Sequence, residues 1–200
     1  TAVGRNALLA NTTADNNTAV GYSAGAAVTT GIENTLVGGF AGDGVTSGTA
    51  NVAIGYNALS DAGSGNGSIA IGKNALAAQT GAGDRVNTAV GLLAGAAVTT
   101  GQYNTLIGGL AGDAITTASN NTAVGRGAGA GVTTGDLNVL IGTYAGDALT
   151  DADANIAIGY SALSADTLGS KSVAIGRSAL ANQNFTSATE SFNTAVGQEA

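Results

Sequence analysis

A possible catalytic serine lies between two glycines near the start of the chain. The stretch Gly21–Gly25 reads G-Y-S-A-G and fits G-x-S-x-G, the pattern that presents a nucleophilic serine on a sharp turn. The equivalent stretches that begin at Gly91 and Gly125 contain no serine, and the 200 residues contain no histidine to act as a general base. The sequence therefore predicts no catalytic residue here, and we expect a protein that is not an enzyme.

A second stretch, Gly67–Asn74, nearly matches a phosphate-binding P-loop. It lacks the Ser or Thr that should follow Lys73, and no helical pattern comes after it. Arg177 holds the position of Lys73 in a later copy of the same stretch. We interpret both basic residues as solvated surface positions, with contact to a receptor as the alternative, and we predict no bound cofactor.

Three aspartates, Asp43, Asp113 and Asp147, each follow a glycine-rich turn of the kind found in calcium-binding β-rolls. Their register does not fit that nonapeptide, and one carboxylate per turn cannot supply the six to eight oxygen ligands that calcium takes. Cysteine and histidine are absent. We therefore predict no metal site and assign these aspartates to turn stabilisation.

Two further residue patterns could bind a ligand at the surface. Threonine pairs, as at Thr29–Thr30, raise the possibility of an ice-binding roll, but adjacent residues of a strand point to opposite faces and several repeats lack the pair. Tyr22, Tyr56 and Tyr160 each follow a glycine of the repeat and could form an exposed aromatic row for sugar contact. The alternative is that each ring simply covers the backbone of a turn.

Composition excludes several classes of protein. Apolar residues make up 44% of the chain, which is too many for a disordered segment, and the net charge of −7 disfavours binding to nucleic acid or anionic lipid. No apolar run is long enough to span a bilayer, so we expect no membrane insertion. The first residue is Thr1, and the sequence shows no signal segment, so we interpret residues 1–200 as a fragment of a longer protein or as a processed chain.

The dominant feature is a short repeat centred on a glycine. The repeat glycines recur with a ~17-residue period, and only two steps are longer, one beginning at Gly72 and the other at Gly176. Such a fixed short period indicates a solenoid, in which each repeat is one coil. These glycines, called the motif glycines below, are Gly4, Gly21, Gly38, Gly55, Gly72, Gly91, Gly108, Gly125, Gly142, Gly159, Gly176 and Gly197.

The residues before each motif glycine predict a strand. Val or Ile precedes the glycine, Ala or Leu stands one residue earlier, and Thr, Val or Ile one residue before that. We expect Val and Ile to form the interior and the Ala or Leu row to face outward, where a second chain would cover it. A second strand is predicted in each repeat, as at residues 28–31.

Two other positions of the repeat are nearly constant. The residue four before the motif glycine is usually asparagine, which predicts an amide ladder along the stack: Asn17, Asn34, Asn51, Asn87, Asn104, Asn121, Asn138 and Asn155. The residue three after the glycine is always alanine, as at Ala24, Ala41 and Ala58, so we expect no room for a larger side chain there. The longer steps predict protruding loops near residues 79–86 and 182–192.

The wording of the repeat resembles a known group of proteins. Asn51–Gly55, Ser68–Gly72 and Ser172–Gly176 are similar to the head repeats of YadA-like trimeric autotransporter adhesins, and the N-T-A-V-G copies are similar to related repeats of phage tail fibres. The likeness covers essentially the whole chain. It implies a left-handed parallel β-roll, three chains side by side, and a role in attachment. The step between repeats is longer than is usual for the adhesin heads, and it favours the tail fibre.

The sequence thus predicts an all-β protein, a parallel β-solenoid of about 12 coils of ~17 residues in one region, 1–200, that assembles into a trimeric rod. We expect a fragment of a longer fibre protein, with the function of a structural segment in an extracellular adhesive fibre, on a virion tail or a bacterial surface. Its expected partners are two further copies of itself and a host surface glycan or protein receptor. The alternative is a monomeric β-solenoid that binds a ligand or ice.

Overall fold

The computed structural model describes all 200 residues, and it contains strands and turns but no helix. Its sixteen strands are two or three residues long: β1 Ala2–Val3, β2 Thr18–Val20, β3 Thr35–Val37, β4 Val52–Ile54, β5 Gly65–Asn66, β6 Ile69–Ile71, β7 Gly83–Asp84, β8 Thr88–Val90, β9 Thr105–Ile107, β10 Thr122–Val124, β11 Val139–Ile141, β12 Ile156–Ile158, β13 Gly169–Ser170, β14 Val173–Ile175, β15 Thr189–Glu190 and β16 Thr194–Val196.

Twelve of these strands form one parallel sheet in the order β1-β2-β3-β4-β6-β8-β9-β10-β11-β12-β14-β16. Each strand pairs in register with the strand of the next repeat, so that Leu106 lies beside Ala123 and Ile107 beside Val124. The chain therefore makes one circuit per repeat, and the prediction of an all-β parallel solenoid with ~17-residue coils is confirmed. Because each coil runs from one of the twelve strands to the next, the solenoid has about 11 coils.

The second strand predicted in each repeat is wrong. Residues 28–31 form no strand, and Thr29 and Thr30 lie in a bend, although Thr29 N still donates to Thr46 O of the next coil at 2.9 Å. Gly31 lies so close to the next coil that a Cβ there would collide with Gly48 O. Second pairs form only beside the two longer steps, where β5 pairs with β7 and β13 with β15.

The predicted orientation of the main strands is also wrong. The Ala or Leu row points inward and is fully buried, as at Leu106 and Ala123, whereas the Val, Ile and Thr residues on either side point outward. Both predicted rows are apolar, so hydrophobicity alone did not separate them. The interior is too narrow to hold two β-branched side chains, Val, Ile or Thr, from every strand. It holds one alanine from each strand instead, or one leucine where a glycine lies opposite.

Leucine and glycine complement one another across the core. A Cβ on Gly25 or on Gly42 would lie 2.6 Å from a methyl carbon of Leu36, so one leucine of β3 fills the space above the glycines of two neighbouring coils. Where neither the strand of the same coil nor that of the following coil supplies a leucine, as at Ala53 and Ala70, the glycine position carries a leucine instead, here Leu59. Packing is therefore continuous along the stack.

Candidate functional site

The motif glycines line one edge of the stack at a point where only glycine fits. All ten from Gly21 to Gly176 have φ between +130° and +141°, a region that other residues rarely adopt. A Cβ on Gly108 would lie 2.5 Å from the carbonyl oxygen of Gly125 in the next coil. Close stacking of coils therefore requires glycine at this position in every repeat.

The eight predicted asparagines are brought together into one buried column. Asn34 is representative: its backbone N–H and its Nδ2 both donate to Asn17 Oδ1, at 2.9 and 3.1 Å, and its Nδ2 also donates to Gly48 O at 2.9 Å. The same three bonds recur from coil to coil where asparagine follows asparagine. Each amide thus ties its own coil to the preceding one and to its own following turn, which leaves no buried amide atom unpaired.

The alanines three residues after the motif glycines lie inside the core. Ala24, Ala41 and Ala58 are fully buried. The backbone N–H of Ala41 donates to Gly38 O at 3.3 Å and closes the tight turn after the strand. A larger side chain has no space there, because the adjacent leucines and glycines already fill the layer.

The asparagine column is interrupted at Ser68, and a glutamine repairs it. Gln79 is fully buried, and its Nε2 donates to Ser68 Oγ at 3.0 Å. Asn87 Nδ2 in turn donates to Gln79 Oε1 at 2.9 Å. The glutamine side chain therefore spans the gap that the shorter serine leaves, and it comes from the first of the two longer steps.

The second interruption, at Ser172, is repaired in the same way. Gln183 Nε2 donates to Ser172 Oγ at 3.0 Å, and Asn193 Nδ2 donates to Gln183 Oε1 at 2.7 Å. Gln183 Nε2 also donates to Oδ2 of the buried Asp166 at 2.6 Å, and the backbone N–H of Phe185 donates to its Oδ1 at 2.9 Å. Each longer step thus supplies a glutamine that bridges the column.

Sequence reasoning missed both bridges, although a signal existed. Ser68 and Ser172 are the two departures from asparagine at their position of the repeat, and each precedes a longer step. Gln79 and Gln183 stand seven residues after the motif glycine, where most other coils place Val, Ile, Leu or Ala. A polar residue at a core position, paired with a shortened column residue, indicates a compensating hydrogen bond.

The two longer steps only partly protrude. Residues 80–84 are exposed, but Gln79 and Arg85, which flank them, are buried. In the second step, residues 186–188 are exposed, and β15 pairs with β13 of the preceding coil. The inserted residues are therefore tied to the solenoid at both ends, and only their tips project.

Asp43, Asp113 and Asp147 lie half-buried on separate coils. Burial raises the pKa of each carboxyl above its usual value of 3.8, and in Asp43 the charge of Asp61 adds to this effect. One oxygen of Asp43 and one of Asp147 is buried without a hydrogen-bond partner. No three residues of the acidic, histidine or cysteine types come together anywhere in the chain.

The other residues singled out in the sequence lie apart from one another. Ser23 is nearly buried in the turn after β2, whereas Lys73 and Arg177 are exposed. Thr29 lies on a corner of the coil, and its Oγ1 donates to Thr46 O at 3.3 Å. The corresponding threonines of most other coils make the same bond, so these hydroxyls are used within the stack.

A cavity of about 860 Å³ lies beside the last strand. Its lining includes Ser178, Gln183, Asn193 and Glu199, and it contains only one ionisable side chain. The structure contains no helix that is long and apolar enough to cross a membrane.

No protein-family model matches the sequence, and the comparisons with curated proteins and with solved structures also return no match.

Proposed function

We propose that this chain is a structural, non-enzymatic rod within an extracellular adhesive fibre, and that three copies pack side by side through the outward face of the main sheet. One observation carries the proposal. The outward face of the twelve-stranded sheet is an uncharged, largely apolar surface that runs the length of the solenoid.

This outer strand face consists of the first and third residues of each three-residue strand. The third residue is Val or Ile throughout, and the first is Thr, Val or Ile; neither row contains a charged residue. Ile107 and Ile141 remain 40% and 38% exposed, so more than a third of each side chain faces solvent. Soluble monomers rarely expose so long an apolar surface, whereas an oligomer buries it.

The resemblance of the repeats to trimeric adhesin heads and phage tail fibres supports three copies rather than two. It also supports the left-handed winding and the location on a virion tail or a cell surface. In this assembly the solenoid acts as a stiff spacer, because every coil is joined to both neighbours by backbone bonds and by the asparagine column.

The mass of the protein in solution tests the proposal. We expect about three times the chain mass of 18.9 kDa by light scattering after size exclusion. The double variant Ile107→Lys/Ile141→Lys places two cations on the outer strand face and should elute as a single chain with unchanged β-sheet content. The matched control Thr100→Lys/Thr117→Lys adds the same charge on an exposed corner and should keep the wild-type mass. A monomeric wild type would contradict the proposal.

The second candidate, an ice-binding surface, is favoured by a specific observation on the same face. In β2, β8 and β10 a threonine and a valine both point outward, at Thr18 and Val20, for example, and the strands repeat at ~4.8 Å. The rows are broken where Val or Ile replaces threonine, as at Val52 and Ile69. Thermal hysteresis from a monomeric sample would establish this function over the fibre.

A further inference from the structure

The basic residues of this acidic chain are unevenly placed. Arg85 is only 8% exposed and donates to Thr100 O at 2.8 Å and to Ala82 O at 3.1 Å, and Lys171 pairs with Glu190. The remaining four basic residues are exposed and form no hydrogen bond or ion pair through their side chains: Arg5, Lys73, Arg126 and Arg177.

These four residues share one position of the repeat. Each directly follows a motif glycine, and so do Tyr22, Tyr56 and Tyr160. The coils stack in register at ~4.8 Å, so residues at this position form a straight line along the rod, called here the cation–tyrosine column. None of the 13 acidic residues lies in the column. The chain therefore separates its free positive charge from its negative charge.

In the first half of the column, Tyr22 and Tyr56 lie between two cations, and Phe40 contacts both rings from one residue beyond the column position of the coil between them. Tyr22, Phe40 and Tyr56 make edge-to-face contacts with centroids 5.1 and 5.8 Å apart, and both tyrosines are about half exposed. The guanidinium carbon of Arg5 lies 5.9 Å from the centre of the Tyr22 ring. Lys73 follows on the coil after Tyr56, so the two cations stand four coils, or ~19 Å, apart.

The second half repeats this arrangement with different residues. The guanidinium carbon of Arg126 lies 5.3 Å from the centre of the Tyr144 ring, which stands on the next coil one residue beyond the column position, Thr143. Tyr160 follows, 53% exposed, and Arg177 comes on the coil after it. The two cations stand three coils, or ~14 Å, apart. Only uncharged residues separate the two halves of the column.

We propose that the cation–tyrosine column binds a linear acidic polysaccharide. The exposed tyrosine rings offer flat apolar surfaces to the C–H faces of sugar rings, and the cations at each end pair with carboxylate or sulfate groups along the chain. A straight column suits an extended polymer, and the acidic residues on the other corners repel a polyanion that lies elsewhere. Such a polymer would be the receptor for the attachment function proposed above, and its biological setting rests on that function.

Binding of the wild-type protein to polysaccharides coated on a sensor surface tests this inference. The probes are polygalacturonate, heparin, the neutral polymer dextran, and single-stranded poly(dT). We expect measurable binding to at least one acidic polysaccharide, weakening as salt rises, and none to dextran. Replacement of all four column cations by glutamine should weaken the binding about tenfold or more. The triple variant Tyr22→Ala/Tyr56→Ala/Tyr160→Ala should weaken it similarly with no change of charge.

The matched control is Lys171→Gln, which removes one cation that lies outside the column and should leave binding within about twofold of wild type. An equal loss in this control and in a single column variant, Arg126→Gln, would overturn the inference. So would a failure to bind both acidic polysaccharides, or tighter binding to poly(dT) than to either of them. The mass of each sample is measured in parallel, so a monomer that still binds would count against the trimer and not against the column.

Discussion

The regular coils and the two longer coils satisfy the same buried column by different means. From Asn87 to Asn155, each coil supplies its own amide, and each amide bonds to the one before it. At Ser68 and Ser172 the coil supplies only a hydroxyl, and a glutamine from the following step completes the connection. The difference teaches that serine replaces asparagine in this column where a longer step supplies a glutamine to complete the hydrogen bonds.

The largest loss of stability is expected when a motif glycine is replaced, and a glycine among the inserted residues serves as the comparison. Gly108→Val should lower the free energy of unfolding by about 4 kcal/mol or more, because its Cβ would meet Gly125 O and its φ is +134°. Gly83→Val, at φ +81° with open space around it, should cost only about 1 to 2 kcal/mol of backbone strain. Denaturant unfolding followed by circular dichroism measures both, and equal losses would show that the inserted residues pack as tightly as the regular coils.

The next largest loss of stability is expected when an asparagine of the column is removed from a regular coil. Asn104→Ala leaves Ala118 O and the backbone N–H of Asn121 without their partners, at a cost of about 3 kcal/mol in the free energy of unfolding. Asn182→Ala is the matched control, because this asparagine is exposed, lies outside the column and has no positive φ, and it should change the stability by less than about 0.5 kcal/mol. Comparable losses for the two variants would contradict the role assigned to the buried amides.

A smaller effect is expected at the bridge, and it tests the comparison most directly. Gln79→Ala should cost about 2 kcal/mol, because Ser68 Oγ keeps only the N–H of Asn87, at 3.4 Å, and Asn87 Nδ2 keeps only Gly101 O. Ser68→Asn alone should also destabilise, because the longer side chain competes with Gln79 for the same space.

The double variant Ser68→Asn/Gln79→Val recreates the residues of a regular coil and should recover part of the loss. A double-mutant cycle measures this coupling, and we expect a favourable interaction of about 1 kcal/mol or more. Strict additivity of the two changes would refute the idea that serine and glutamine act as one unit.

The smallest effect concerns carboxylates. Asp166, beside the second bridge, has three partners, whereas Asp43 in a regular coil has a buried oxygen with none. Burial raises the pKa of Asp43, so the folded state binds this proton more tightly than the unfolded state does. Its charge therefore lowers stability as pH rises from 3.8 through the folded pKa.

Asp43→Asn should accordingly raise the melting temperature slightly at pH 7 and have no such effect below pH 3.8. Asp15→Asn, an exposed acid, removes the same charge and serves as the control for net charge. A gain that is equal in the two variants, or that persists in acid, would show that the burial of Asp43 is not its cause.

The period of the motif glycines was enough to predict the parallel solenoid, because a solenoid places the glycine of each repeat beside the glycine of the next. The direction of each strand face was not predictable in the same way. Leu36 and Val37 are both apolar, and the choice between them depends on the width of the interior, which the glycines at Gly25 and Gly42 set across the coil. The bridges were missed because a glutamine eleven residues from its serine partner has no meaning until the coil closes.

Because the regular coils are nearly identical, the asparagine column by itself does not determine which coil pairs with which. Where every coil is equivalent, the chain could loop out one whole repeat and pair one coil too far with nearly the same hydrogen bonds. Gln79 and Gln183 reach their serine and asparagine partners only when their own coil closes, so looping out either longer coil would break its bridge. The two bridges therefore make the longer coils the ones that a stack of near-identical units can least easily omit.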